Sequence, residues 1–124
     1  MKIEFEEMFP EYVYAYGNVI SIPITDPPEL NLQMDKERVA NGKRPLFNKL
    51  DEKEIDNNAW YEYRLILDRK TLEPIEFEAW ADYTGDEDET VYHLEIEDKE
   101  AVLADVKREL KIHGYTEEEL KKEK

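Results

Sequence analysis

Two segments of this chain alternate with a period of two. Tyr61, Tyr63, Leu65 and Leu67 are interleaved with Glu62, Arg64 and Ile66; Ile75, Phe77, Ala79 and Ala81 are interleaved with Glu76, Glu78, Trp80 and Asp82. Successive side chains of a strand point to opposite faces, so each segment reads as a strand with one buried and one wet face. The polar link Asp68–Pro74 is turn-like, which makes the two an antiparallel pair. Burial selects the register that sets Leu67 against Ile75 and Leu65 against Phe77. A one-residue slip would turn one apolar set to solvent. In the selected register Arg64 faces Glu78 and Glu62 faces Trp80.

The remaining elements attach to this pair. Tyr12–Tyr16 and Val19–Ile24 flank Gly17-Asn18 and predict a hairpin, with Pro23 marking an edge because it lacks an N–H. Tyr92, Leu94 and Ile96 alternate with His93, Glu95 and Glu97 as a further strand. Asp98 is placed to N-cap a helix reaching about His113, with Val102, Leu103, Val106 and Leu110 at helical spacing. Gly114 ends it and Tyr115 packs back. Thr116 to Glu119 opens a short polar helix that is expected to fray. Phe5 to Phe9 suggests one helical turn before Pro10. Thr25–Ala59 reads as irregular, with Leu30 and Leu32 in a short strand and a short helix from Asp35 to Asn41. The expected fold is α+β: a single acidic domain over residues 1–124, with an antiparallel sheet of about five strands and a C-terminal helix packed on one face.

Charge is concentrated in one stretch. Between Leu72 and Val106 there are thirteen Asp and Glu and one Lys, a net of −12 out of −15 for the chain. Such a field repels nucleic acid and anionic membranes and attracts cationic surfaces. Lys36–Lys53, with six basic and three acidic residues, is the only basic segment. Fourteen aromatic residues exclude a disordered composition. Without cysteine there is no disulfide, thiolate site or cysteine nucleophile. No apolar run approaches the roughly 18 residues of a membrane span. The acidic start is unlike a signal peptide, so the cytoplasm is the expected compartment.

The candidate binding residues fall on the polar face of the predicted sheet and the loop beside it: Glu76, Glu78, Trp80, Asp82, Asp86 and Asp88. Trp60 shares that face. Large aromatics among carboxylates suit a protein-binding surface. The competing and favoured expectation is that Thr25–Ala59 folds over this face and buries both tryptophans. Tyr12, Tyr14 and Tyr16 read as a core-edge stripe with hydroxyls in water, because base stacking needs positive charge nearby. Asp82, Asp86, Asp88 and Glu89 lack the spacing of a calcium loop. Glu76 and Glu78 lack the cleft that paired acid/base catalysis requires. His93 and His113 are isolated in sequence and predict no metal site. Gly42-Lys43-Arg44-Pro45 lacks the phosphate-loop pattern. Neither a cofactor nor an enzymatic activity is expected.

The strings Phe9–Asn18, Gly42–Asn48 and Leu94–Glu100 resemble small acidic proteins encoded on phages and conjugative elements of Gram-positive bacteria, some grouped as domains associated with large polyvalent proteins. That resemblance implies a mobile-element accessory role and supplies no catalytic residues. The sequence reading is a non-enzymatic interaction protein whose acidic face binds a basic protein surface, with DNA mimicry as one version. The alternative is a small-molecule or peptide-binding domain with its pocket between the sheet and Thr25–Ala59.

Overall fold

The alternating residues of the central strands do divide between two faces. In the computed structural model, which describes residues 1–6, 11–25, 27–43, 45, 59–83 and 90–121, five antiparallel strands follow one another in chain order. They are β1 (Tyr14–Tyr16), β2 (Val19–Ile24), β3 (Ala59–Asp68), β4 (Pro74–Tyr83) and β5 (Thr90–Leu94). Helix α1 (Pro28–Ala40) lies between β2 and β3 in sequence, and α2 (Lys99–Ile112) and α3 (Glu117–Lys121) follow β5. The fold is therefore α+β.

One face of the sheet carries Ile20, Ile22, Ile24, Tyr63, Leu65, Leu67, Phe77, Ala79, Tyr92 and Leu94, all buried. Leu30 and Met34 of α1 and Val102, Val106 and Leu110 of α2 join them in a single apolar cluster. Burying side chains of this size contributes about 1.5–3 kcal/mol each. The Tyr63 hydroxyl also donates to Asn31 Oδ1 at 2.6 Å, which ties α1 to this face.

Helix α2 forms as its sequence dictates. The Ala101 N–H donates to the Asp98 carboxylate at 3.1 Å, and Tyr115 N–H donates back to the Leu110 carbonyl at 2.8 Å across Gly114, whose φ is +76°. Leu120 of α3 is buried in the core and anchors the short helix that was expected to fray.

Three expectations are corrected. Leu30 and Leu32 are helical rather than extended, because α1 starts at Pro28, whose fixed φ suits the first helical position, and not at Asp35. Phe5 is not in a helical turn; it bridges Ile24 in an antiparallel pairing, while residues 7–10 lie outside the described residues. Side chains of α2 hold that segment from its other side. Ile3 N–H donates to Asp105 (2.9 Å), Phe5 N–H to Glu109 (2.6 Å), and Arg108 donates to the Ile3 carbonyl (2.8 Å). Pro23 does mark a partial edge. Its carbonyl accepts from Glu6 N–H at 3.1 Å, so its missing donor faces this N-terminal segment and not β3.

The third correction concerns register. Leu65 faces Phe77, Arg64 faces Glu78 and Glu62 faces Trp80, as expected, but Leu67 faces Pro74 and not Ile75. The turn is the cause. Asp68 N–H donates to the Glu73 carbonyl (2.8 Å), while Lys70 and Thr71 N–H donate to the Asp68 carboxylate (2.9 and 3.0 Å). Those bonds from Thr71 and Lys70 hold the Asp68 carboxyl below its ordinary pKa. The tight turn bulges Ile75 out and tucks Leu72 into the core with φ +62°. A left-handed leucine costs about 1–2 kcal/mol, which its burial offsets. Leu72→Ala is expected to destabilise by about 2–5 kcal/mol in urea unfolding, and Ile75→Ala, at 42% exposure, by under about 1 kcal/mol. The reverse ranking would mean that Ile75, not Leu72, fills the core.

Candidate functional site

Alternation places a second set of side chains on the opposite face. Tyr14 and Tyr16 of β1, Ser21 and Pro23 of β2, Trp60, Glu62 and Arg64 of β3, Glu76, Glu78, Trp80 and Asp82 of β4, and His93 of β5 occupy the other phase of the register. Leu30 and Met34 of α1 lie in the core on the far side. The described part of Thr25–Ala59 therefore does not cover the tryptophans. Trp60 is 47% exposed, and Tyr14 and Tyr16 are each about half exposed. The tyrosines are not a core-edge stripe; they stand on the outer face.

Arg64 organises this face. Its side chain is 7% exposed, and each of its three nitrogens donates to a named acceptor. Nε donates to Ser21 Oγ at 2.5 Å, Nη1 to Glu62 Oε1 at 2.7 Å, and Nη2 to the Ser21 carbonyl at 3.0 Å and the Tyr12 carbonyl. The guanidinium also lies over the Tyr14 ring, 4.7 Å from its centroid, a cation–π contact. One cation thus joins β3 to β2 and to the segment leading into β1. A planar fork with five donors does this; an ammonium cannot.

Around Arg64 the face sinks into a groove of about 890 Å³, lined by Tyr12, Tyr14, Tyr16, Trp60, Tyr61, Trp80, Glu6, Glu62 and Glu78. That volume is within the range of ligand sites, roughly 300–1,000 Å³. Trp60 pairs with Asp82 and Trp80 with Glu62, so the two indoles lie diagonally across β3 and β4. Among the described residues, the Trp80 Nε1 donor is buried without a hydrogen-bond partner, which costs about 1–3 kcal/mol. Burial, then the negative charge of Glu78, raises the Tyr16 pKa above its ordinary value of 10.0; Arg64 opposes this and Glu76 adds to it. Tyr16 therefore stays a neutral donor at physiological pH.

Of the residues singled out from sequence, Glu76, Glu78, Trp80 and Asp82 share this face; Asp86 and Asp88 lie outside the described residues. Glu78 and Trp80 line the groove. The groove on the outer face takes its described lining from Glu6 and strands β1 to β4 with their flanks; residues 44 and 46–58, which belong to the segment expected to form a pocket with the sheet, lie outside the described residues. His93 was isolated in the sequence, but β5 sets it opposite Glu78, and its Nδ1 lies 3.0 and 3.1 Å from the two carboxylate oxygens of Glu76. Sequence reasoning placed Arg64 opposite Glu78 but did not reveal its burial. The available signal was a single arginine in the middle of an alternating strand.

Removing Arg64 strips four acceptors of their donor in a water-poor site. Arg64→Ala is expected to lower stability by about 3–5 kcal/mol in denaturant unfolding, and Arg64→Lys by about 1.5–3 kcal/mol, since the charge survives but the fork does not. A loss under about 0.5 kcal/mol for both, the range of an ordinary surface substitution, would contradict the hub.

Against known proteins, no family model matches the chain, and no curated protein and no solved structure is found to be similar to it.

Proposed function

We propose that this chain is a non-enzymatic binding protein whose outer sheet face receives a basic segment of a partner protein. The observation that carries the reading is the juxtaposition, in one groove, of carboxylates with aromatic rings, of which Tyr12, Tyr14, Tyr16 and Trp60 are exposed and Trp80 is half-buried. Trp60, Trp80, Tyr12, Tyr14 and Tyr16 stand beside Glu62 and Glu78, on a chain of net charge −15. A Lys or Arg side chain entering such a groove gains cation–π contact, about 0.5–2 kcal/mol per pair depending on desolvation. Trp and Tyr supply the anchor energy of interfaces, whereas charge mainly sets the association rate. Glu76, Glu78 and Asp82 are assigned to steering, and Trp80 and Trp60 to anchoring.

The strong negative field disfavours direct binding to nucleic acid. It suits a partner that itself handles nucleic acid, because such proteins present cationic grooves. Carboxylates on the sheet face then occupy the place of phosphates. The resemblance to phage and conjugative-element proteins fits an accessory role toward a host or element-encoded protein of this kind. Small-molecule binding in the same groove is the second reading, favoured by its volume.

Titration with an arginine-rich peptide, followed by tryptophan fluorescence, tests the proposal. Saturable binding is expected that weakens as salt rises. Neutralising Glu76, Glu78 and Asp82 to Gln or Asn should slow association by about tenfold or more at low salt and flatten the salt dependence. Trp80→Ala should instead speed dissociation. Equal affinity for an uncharged peptide of the same length would remove the basic-partner reading and favour the small-molecule one.

A further inference from the structure

We infer that Glu76, Glu78 and His93 form a binding site for a first-row divalent transition ion, of which Zn²⁺ is the representative. The inference goes beyond the partner reading and is tested without any partner.

The placement comes from the sheet. Glu76 and Glu78 are two residues apart on β4 and so share a face, and His93 on β5 is the cross-strand partner of Glu78. Strand β4 is paired on both sides, by β3 and β5, so the three side chains project from a rigid base. One donor atom from each residue lies within 4.8 Å of the others. Tetrahedral zinc with bonds of about 2.0–2.1 Å separates its ligand atoms by roughly 3.4 Å. His93 Nδ1 is already 3.0 and 3.1 Å from the Glu76 oxygens. The remaining edges need to close by little more than about 1 Å, within the reach of glutamate side-chain torsions.

Donor chemistry selects the ion. One imidazole nitrogen and two carboxylate oxygens suit Zn²⁺ and its neighbours, whereas Mg²⁺ and Ca²⁺ favour all-oxygen shells. Three protein ligands leave a fourth position for water, the open type of zinc site. The ion also has a route in. The His93 side chain is 61% exposed, and a hollow of about 500 Å³ adjoins it, with Glu95 and Lys99 on its wall. What it must displace is weak: an exposed His–Glu ion pair contributes only about 0–1 kcal/mol. The imidazole distinguishes this group from a simple cluster of acids, and it makes the inference separable from non-specific attraction of cations to an acidic protein.

The chain has two histidines, which provides an internal control. His113 stacks on Phe5 at the end of α2, away from this group. In side-chain ¹H–¹⁵N NMR of the full chain, substoichiometric ZnCl₂ should shift the His93 ring resonances and leave those of His113 in place. Calorimetry should find one equivalent of Zn²⁺ bound in the presence of excess CaCl₂. His93→Ala and Glu78→Gln should each weaken that binding by about tenfold to 100-fold or more, at least the loss seen when an outer-shell partner is removed. Unchanged thermal melts without metal would establish that both variants fold; if either does not, the wild-type NMR titration decides alone. Equal shifts of both histidines, Zn²⁺ binding that survives His93→Ala, full competition by Ca²⁺, or no binding at all would overturn the inference.

Discussion

A guanidinium held inside a protein surface must find acceptors, and Arg64 finds four. The outer face depends on this. Strand β1 is only three residues long and pairs with β2 alone, so hydrogen bonding gives it little hold. The bond from Arg64 to the Tyr12 carbonyl and the contact with the Tyr14 ring attach that edge to the centre of the sheet. The tyrosines thereby line the same groove as the tryptophans. The same residue fixes Glu62 by a 2.7 Å ion pair, so part of the acidic lining is ordered rather than mobile.

The two faces of the sheet do different work. On the inner face, aliphatic side chains of the strands and of α1 and α2 share one core, which supplies stability. On the outer face, Ser21, Arg64 and Ile66 are buried, while Tyr14, Tyr16 and Trp60 are about half exposed. Rings in such a setting combine a large contact area with little conformational entropy to lose, which favours them at interfaces. Carboxylates act over a longer range and are screened within about 10 Å at ordinary salt. Under the proposed function, anchoring and steering therefore fall to different residues of one surface.

Much of the fold was legible because it follows from period and capping. Alternation at Tyr61–Leu67 and Ile75–Ala81 located both central strands, and the Leu65–Phe77 register came from burial alone. The cap at Asp98 and the stop at Gly114 were readable because those geometries demand those residue types. Of helix α1 only the C-terminal half was legible, as the short helix expected from Asp35 to Asn41. Its buried positions Leu30, Met34, Asp35 and Arg38 form a narrow stripe that is half charged, so hydrophobic periodicity gave no signal for the first half. The bulge at Ile75 was hidden for another reason: a left-handed leucine at position 72 is contrary to intrinsic preference and is set by tertiary packing. Of the site, the strands determined which residues share the outer face. That Arg64 is buried, that the tyrosines join it and that His93 meets Glu76 all depend on side-chain reach across strands, which no linear pattern encodes.

The central claim is that the face carrying Tyr14, Tyr16 and Trp60 is open to solvent while the opposite face is closed. Hydroxyl-radical footprinting of the free protein, read residue by residue in the mass spectrometer, tests it most directly. The account predicts rapid oxidation of Tyr14, Tyr16 and Trp60, which are about half exposed, and protection of Tyr63 and Phe77, which are 1% and 0% exposed. Protection of Trp60 and Tyr14 to the level of Tyr63 would contradict it.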